Sequence, residues 1–189
     1  MGRDKAELPL GGGTFLSRLV SEYSPAFPVY VSVGETGKFN LYGAGELVDM
    51  HPGMGPLAGL EAAFCKTDAD VVFLTATDLP FGTLALAEKL VSLLGDADAC
   101  VIRRKDGEME PAYGVYRRNC QGAVEGCLAE GRRAVRSMLS KVKVRWAEEA
   151  ELAEFPLERL LQNVNTPDEY EKVLTTSTVE ASNFMEEEI

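Results

Sequence analysis

Asp78 stands just beyond an apolar stretch, Val71 to Leu74, that is rich in β-branched residues and shows no polar alternation. Such a run is typical of a strand buried on both faces of a parallel sheet. Pro80 disfavours both strand pairing and helix, so we expect the strand to end near Thr77 and to leave Asp78 at its carboxyl end. One carboxylate there, together with substrate phosphates, is a usual way to hold Mg²⁺. An Asp that caps the following turn explains the same residues equally well.

A second acidic residue, Asp49, ends the preceding predicted strand, Glu46 to Asp49. The stretch Gly53 to Gly59 follows, with Pro56 at the expected first position of a helix. Glycines let a ligand approach the backbone, and a helix N-terminus offers N–H groups to an anion or a base edge. A structural loop accounts for each glycine separately, but less easily for their clustering beside Asp49. His51, the only histidine of the chain, is predicted to be an exposed spacer in this loop.

Composition limits the classes of partner. A chain of 189 residues with 46% hydrophobic residues is predicted to form one globular domain. Its formal net charge of −11 argues against nucleic acid and anionic membranes as partners. Without a recognisable signal peptide or an apolar run long enough to span a membrane, the expected location is the cytoplasm. The cysteines form no C-x-x-C pair and are predicted to be reduced core residues. They are Cys65, Cys100, Cys120 and Cys127.

Predicted strands alternate with predicted helices, which favours an α/β domain with a doubly wound, mostly parallel sheet. Asp106 and Gly107 predict one antiparallel hairpin, and Thr166 begins a capping box before a helix that runs to Leu174. Asp49 and Asp78 should face one crevice, because both end strands of the same sheet. These residues indicate a phosphate-containing ligand held with Mg²⁺.

Six motifs occur in order along the chain: Met1-Gly2-x-Asp4-Lys5 with Leu8-Pro9-Leu10, Asp49-x-x-Pro52-Gly53-x-Gly55-Pro56-Leu57-Ala58-Gly59, Thr77-Asp78-x-Pro80-Phe81, Pro111-x-x-x-x-Tyr116, Gly131-x-Arg133 and Asn163-Val164-Asn165-Thr166-Pro167. This order is similar to that of the molybdenum cofactor guanylyltransferases, the MobA-like nucleotidyltransferases. The resemblance covers residues 1–174 and implies a Rossmann-like nucleotidyltransferase fold. It also implies transfer of GMP from GTP to molybdopterin with Mg²⁺, releasing pyrophosphate.

The resemblance assigns roles residue by residue. Lys5 and Asp78 are the implied catalytic residues, Lys5 neutralising the triphosphate and Asp78 holding Mg²⁺, while Asp49 lies in the nucleotide site. Contacts to the base are implied for Gly55, Pro56, Leu57, Ala58 and Gly59.

Two asparagines, Asn163 and Asn165, match the family motif on the pterin side of the pocket, and turn or cap roles fit them equally well. Arg133 matches the Gly-x-Arg motif, although Arg132 and Arg136 are alternatives. The resemblance also implies molybdoenzymes and other proteins of cofactor biosynthesis as candidate partners.

The chain departs from the family in two places. The strand and glycine-rich loop that family members carry before the Met1 segment are missing from this sequence, and Gly34 stands where the family often has Asn. We therefore expect residues 1–175 to be an N-terminally shortened nucleotidyltransferase domain, begun at an internal methionine, followed by an acidic tail, residues 176–189. The alternatives are a molybdopterin cytidylyltransferase or related NTP transferase, and a non-catalytic pterin-binding or protein-binding module.

Overall fold

Eight short strands and the helices around them make up the part of the chain that this computed structural model describes, residues 4–39 and 43–174. The strands are β1 (Pro9–Leu10), β2 (Gly13–Thr14), β3 (Val29–Val33), β4 (Ala44–Val48), β5 (Val71–Leu74), β6 (Ala99–Arg103), β7 (Met109–Arg117) and β8 (Val144–Glu148). The α-helices are α1 (Phe15–Tyr23), α2 (Pro56–Lys66), α3 (Leu84–Leu93), α4 (Gln121–Ala129) and α5 (Leu157–Leu160). Shorter 3₁₀ helices cover Lys5–Glu7, Arg118–Cys120, Val135–Lys141 and Glu149–Leu152, and a last helical stretch covers residues 167–174.

Strand pairing is mixed, where the sequence predicted a mostly parallel sheet with one hairpin. β3 and β4 are parallel, β1 and β2 are antiparallel, and the four remaining strands lie in the order β5-β7-β6-β8. The predicted hairpin forms at Gly107, whose φ of 88° suits a residue without a Cβ. Because β7 returns from this hairpin between β5 and β6, it is antiparallel to both, while β8 is parallel to β6 at the sheet edge.

Thr14 and Thr83 each precede an apolar run at helical spacing, which predicts both as helix caps, and both predictions are confirmed. The Thr14 hydroxyl accepts from the Ser17 N–H at the start of α1, and the Thr83 side chain caps α3. The predicted capping box forms at Thr166, which exchanges main-chain to side-chain hydrogen bonds with Glu169. α2 begins at Pro56, where the missing N–H is not needed.

The core lies on both faces of the four-stranded sheet. One face packs against α2 and α4 through Leu60, Phe64 and Val124, and the other packs against α3 through Leu86 and Leu90. A third cluster joins the two ends of the described chain around Phe15, Phe81 and Val164, and includes Leu8, Leu10 and Val173. Burial of these apolar side chains therefore fixes residues near 8 and near 164 against the turn that follows β5.

Three local predictions differ from the structure. β5 ends at Leu74 rather than near Thr77, because the next residues turn toward α3. The apolar spacing from Ala134 to Leu139 predicts a helix, and the structure has the 3₁₀ helix Val135–Lys141 there. Cys65 is exposed, because it lies on the side of α2 that faces away from the core, whereas the other three cysteines are buried.

The described residues include no helix long and apolar enough to cross a membrane. The predicted acidic tail, residues 176–189, and the start of the first motif, residues 1–3, lie outside the described residues.

Candidate functional site

The turn that carries Asp78 is anchored on three sides. The Asp78 carbonyl accepts a hydrogen bond of 2.9 Å from the Val164 N–H, and Arg18 Nε donates to the Pro80 carbonyl at 2.9 Å. Phe81 is buried, and the Arg159 guanidinium carbon lies 3.7 Å from the centre of its ring. The Asp78 carboxylate itself is half-buried and makes no hydrogen bond or ion pair with residues 4–39 or 43–174. The main chain is thus held in place while the carboxylate stays available.

Lys5 and Asn165 meet beside this turn. The ammonium of Lys5 donates to Asn165 Oδ1 at 2.5 Å, joining residues 160 positions apart. Asn165 follows Val164, the residue that holds the Asp78 carbonyl, so Lys5, Asp78 and Asn165 lie near one another. Asn163 and Asn165 are exposed on either side of the fully buried Val164. A lysine ammonium has three donors, so the bond to Asn165 leaves two for a ligand.

A groove of about 390 Å³ lies between α1, α2, β3 and the residues that follow β5. Within the described residues, β3 pairs only with β4 and β5 only with β7, so the groove runs along strand edges that no neighbour covers. Its lining includes Ser32, Asp49, Gly55, Pro56, Gly59 and Thr77. The predicted nucleotide residues and the residue before Asp78 therefore share one concave surface.

Ser32, on β3, contacts both Asp49 and α2. Its hydroxyl donates to Asp49 Oδ1 at 2.5 Å, and the Asp49 N–H donates to the Val33 carbonyl at 2.8 Å. A Cβ added to Gly59 would lie 3.0 Å from both Cβ and Oγ of Ser32. α2 therefore approaches β3 as closely as a residue without a side chain allows.

The predicted base-contacting stretch divides into two kinds of residue. Gly55 and Pro56 line the groove, and Gly55 has a φ of 67°, which favours glycine. Leu57 and Ala58 are completely buried in the core against the sheet. Their side chains are turned away from any ligand, so these two residues can contact a base only through the main chain.

Arg132 and Arg133, two of the candidates for the arginine of the Gly-x-Arg motif, have different surroundings in the structure. Arg132 pairs with Glu130, with Nε 2.8 Å from Oε2. The Arg133 carbonyl lies 3.4 Å from the position a Gly55 Cβ would take, so the Arg133 main chain borders the loop before α2.

His51 is about half-exposed, as predicted. Its Nδ1 lies 2.7 Å from a carboxylate oxygen of the buried Glu61, and this contact ties the loop before α2 to the helix.

Two charged residues that belong to none of the six motifs, Arg104 and Glu110, lie 3.8 Å apart, and Glu110 is near enough to Asp78 to sense its charge. β5 pairs with β7 in an antiparallel register that ends at Leu74 and Gly114, and the turn after Leu74 keeps Asp78 close enough for its charge to act on the Glu110 carboxyl. Burial raises the pKa of the Glu110 carboxyl, Arg104 opposes that shift, and the Asp78 charge adds to it. Only this long-range register reveals the proximity, because no local sequence signal links Arg104 or Glu110 to Asp78.

The described residues contain no group of three or more metal-ligating side chains, so a cation at Asp78 needs oxygen ligands from a bound substrate. Three features suit this site to a nucleoside triphosphate. They are the Asp78 carboxylate, which is unpaired within the described residues, the Lys5 ammonium, which keeps two donors for a ligand, and the glycine-lined groove. On an α/β frame of mixed sheets, this arrangement defines a protein of the nucleotidyltransferase class.

Solved structures share this fold. The chain superimposes on molybdopterin-guanine dinucleotide biosynthesis protein A of Archaeoglobus fulgidus with a TM-score of 0.80 and 23% identity, covering 94% of this chain and 92% of that one. A second match is 2-C-methyl-D-erythritol 4-phosphate cytidylyltransferase of Thermus thermophilus, with a TM-score of 0.69, 15% identity and coverage of 92% and 93%. The predicted α/β nucleotidyltransferase fold is confirmed.

Residues 1–173 match the family model of the MobA-like NTP transferase domain, and the chain belongs to this family. It is 34% identical over 175 residues to a probable molybdenum cofactor guanylyltransferase of Carboxydothermus hydrogenoformans, covering 92% of this chain and 88% of the relative. It is 29% identical to the molybdenum cofactor guanylyltransferase of Mesorhizobium japonicum, covering 89% and 85%. The resemblance predicted from the six motifs is thereby confirmed.

Proposed function

We propose that this protein transfers GMP from GTP to molybdopterin and releases pyrophosphate. The observation that carries the proposal is the convergence of Lys5, Asp78 and Asn165 at one end of the groove formed by α2 and β3. Relatives that are named molybdenum cofactor guanylyltransferases and cover most of this chain support the choice of substrates.

Magnesium fits the free carboxylate of Asp78. Within the described residues the carboxylate makes no hydrogen bond or ion pair, and a hard divalent cation accepts a single carboxylate with phosphate oxygens as its remaining ligands. When bound, Mg²⁺ would supply positive charge to the triphosphate oxygens. Asp78 is the residue that would hold it, because the neighbouring turn fixes its main chain through Val164 and Arg18.

In the proposed reaction an oxygen of the terminal phosphate of molybdopterin attacks the α-phosphorus of GTP. The new bond joins that oxygen to the α-phosphorus, and the bond from the α-phosphorus to the bridging oxygen breaks as pyrophosphate leaves. Lys5 would place its ammonium against the triphosphate, held there by Asn165. Charge neutralisation and positioning supply most of the catalysis in such a displacement.

The guanine base would occupy the glycine-lined part of the groove. Gly55, Pro56 and Gly59 leave the main chain open there, while Asp49 is held by Ser32 at the adjacent edge. Because Leu57 and Ala58 are buried, recognition of the base in this stretch relies on main-chain groups. We also propose that the protein acts in the cytoplasm and that molybdoenzymes receive the product.

Isothermal titration of GTP with Mg²⁺, followed by a pyrophosphate-release assay with molybdopterin, tests the proposal. We expect GTP to bind in a metal-dependent manner, CTP to bind more weakly, and Asp78→Ala to abolish the metal dependence. Asp68→Ala, which removes an exposed carboxylate from the loop before β5, is the matched control. Equal binding of GTP and CTP would favour a cytidylyltransferase or a broader specificity, and binding of neither nucleotide to folded protein would contradict the proposal.

A further inference from the structure

Arg104 and Glu110 form a charged pair whose hydrogen-bonding capacity is not used. Both side chains are mostly buried, with 14% and 18% of their surfaces exposed. Arg104 Nε lies 3.8 Å from Glu110 Oε1, and Arg104 Nη1 lies 3.8 Å from an oxygen of the exposed Glu158, distances too long for hydrogen bonds. Arg104 Nη1 is completely buried and has no hydrogen-bond partner within the described residues. Buried charged groups normally satisfy their donors and acceptors, and Arg104 Nη1 is an exception within the described residues.

The pair lies on the opposite side of β5 from the glycine-lined groove. β5 pairs with β7, which carries Glu110, along one edge, and the groove runs along its other edge as far as Thr77. Asp78, in the turn after β5, follows the groove residue Thr77 and acts electrostatically on Glu110, so it stands between the groove and Glu110. A nucleotide in the groove and a second ligand at Glu110 would approach Asp78 from two sides, as a transfer between two substrates requires.

Electrostatics excludes an anion as the ligand of this pair. Glu108, Asp78 and Asp106 all act on the Glu110 carboxyl, so one guanidinium is surrounded by carboxylates. A phosphate group would be repelled here. A neutral group that accepts a hydrogen bond from Arg104 and donates to Glu110 would satisfy both side chains.

We propose that Arg104 and Glu110 bind the 2-amino-4-oxopyrimidine edge of the pterin in the acceptor substrate. The ring oxygen at position 4 accepts from the guanidinium, while the neighbouring ring N–H and the 2-amino group donate to the carboxylate as a bidentate pair. This proposal rests on the proposed function, which makes a pterin the acceptor. Guanine carries the same edge, and the position of the pair across β5 from the groove favours the pterin.

The test is a fluorescence titration of 6-hydroxymethylpterin, with GTP and Mg²⁺ titrated separately, into the full chain and its variants. Glu110→Gln keeps the shape of the side chain but removes its charge and one acceptor, and Glu108→Gln is the control on an exposed neighbour. We expect Glu110→Gln to weaken pterin binding by at least about tenfold and to leave GTP binding unchanged. Glu108→Gln should change neither. If Glu110→Gln fails to fold, Arg104→Lys, which keeps the charge but loses the planar fork, takes its place.

Three results would overturn the proposal: no pterin binding by the unmodified chain, pterin binding that Glu110→Gln leaves unchanged, or a loss confined to GTP, which would mean that the pair reads guanine. Failure of the proposed function has a different signature. In that case pterin binding would still depend on Glu110, while no GMP transfer or pyrophosphate release would be detected.

Discussion

Replacing Gly59 by alanine tests whether α2 and β3 are in contact across the candidate nucleotide groove. Gly59 is an interior residue of α2, and a Cβ there would lie 3.0 Å from Cβ and Oγ of Ser32. Gly126, an interior residue of α4, is the matched control, because the nearest atom to an added Cβ is Lys141 Nζ at 3.9 Å. The two substitutions are chemically identical and differ only in their surroundings.

The expected magnitude follows from two opposing effects. Alanine is favoured over glycine in a helix interior by about 1 kcal/mol, and both variants gain this amount. At Gly59 the crowding against Ser32 adds a cost of about 1–3 kcal/mol. Ser32 Cβ is fixed by the pairing of β3 with β4, and rotation of its hydroxyl would break the bond to Asp49. We therefore expect Gly126→Ala to stabilise the protein and Gly59→Ala to be less stable than Gly126→Ala by about 1–3 kcal/mol.

Urea unfolding followed by circular dichroism measures the difference, because the helix propensity gain cancels between the two variants. GTP titration of the same proteins reports on the groove, and only Gly59→Ala should weaken binding. Ser32→Gly in the Gly59→Ala background should recover part of the lost stability. If Gly59→Ala stabilises the protein as much as Gly126→Ala does, α2 and β3 are not in close contact and the described groove is wrong.

Three further predictions follow from the site and its surroundings. Asn165→Asp should convert the hydrogen bond to Lys5 into an ion pair and weaken GTP binding in titration calorimetry, whereas Asn165→Ala should weaken it less; equal effects would contradict the contact. The pKa of the Glu110 carboxyl is raised in the folded protein, so its contribution to stability is present below the ordinary pKa of 4.5 and is lost as the pH rises through the raised value. We therefore expect Glu110→Gln to be more stable than the unmodified chain at pH 7. Urea unfolding should show that this gain disappears toward pH 4. A thiol reagent should modify one cysteine of the folded protein within the described residues and none after Cys65→Ser, and rapid reaction of a second thiol would contradict the burial of the other three.

Features set by neighbouring residues were predictable from the sequence. The caps at Thr14 and Thr83 and the start of α2 at Pro56 each depend on a few adjacent residues, and all three form as expected. Asp49 was placed correctly at the end of β4, because a strand end is also a local feature. These signals were enough to indicate the α/β class and the crevice.

Features set by distant residues were not predictable. Leu57 and Ala58 belong to a motif that the resemblance assigns to the base, yet the rotation of α2 on the sheet buries both side chains. The same rotation exposes Cys65, which an apolar pattern had placed in the core. Arg104 and Glu110 come near Asp78 only through the register of β7 against β5. A single sequence specifies such registers through the whole core rather than through any local pattern.

The antiparallel insertion of β7 accounts for the second side of the site. In a wholly parallel sheet, residues that follow strand ends supply the ligand contacts at the carboxyl edge. Here β7 begins at that edge, because the hairpin at Gly107 brings it back beside β5. Arg104, just after β6, and Glu110, near the start of β7, therefore lie together on the far side of Asp78 from the groove. The mixed strand pairing therefore places the groove on one side of Asp78 and the Arg104–Glu110 pair on the other. This arrangement matches a reaction that joins a nucleotide to a second, differently shaped substrate.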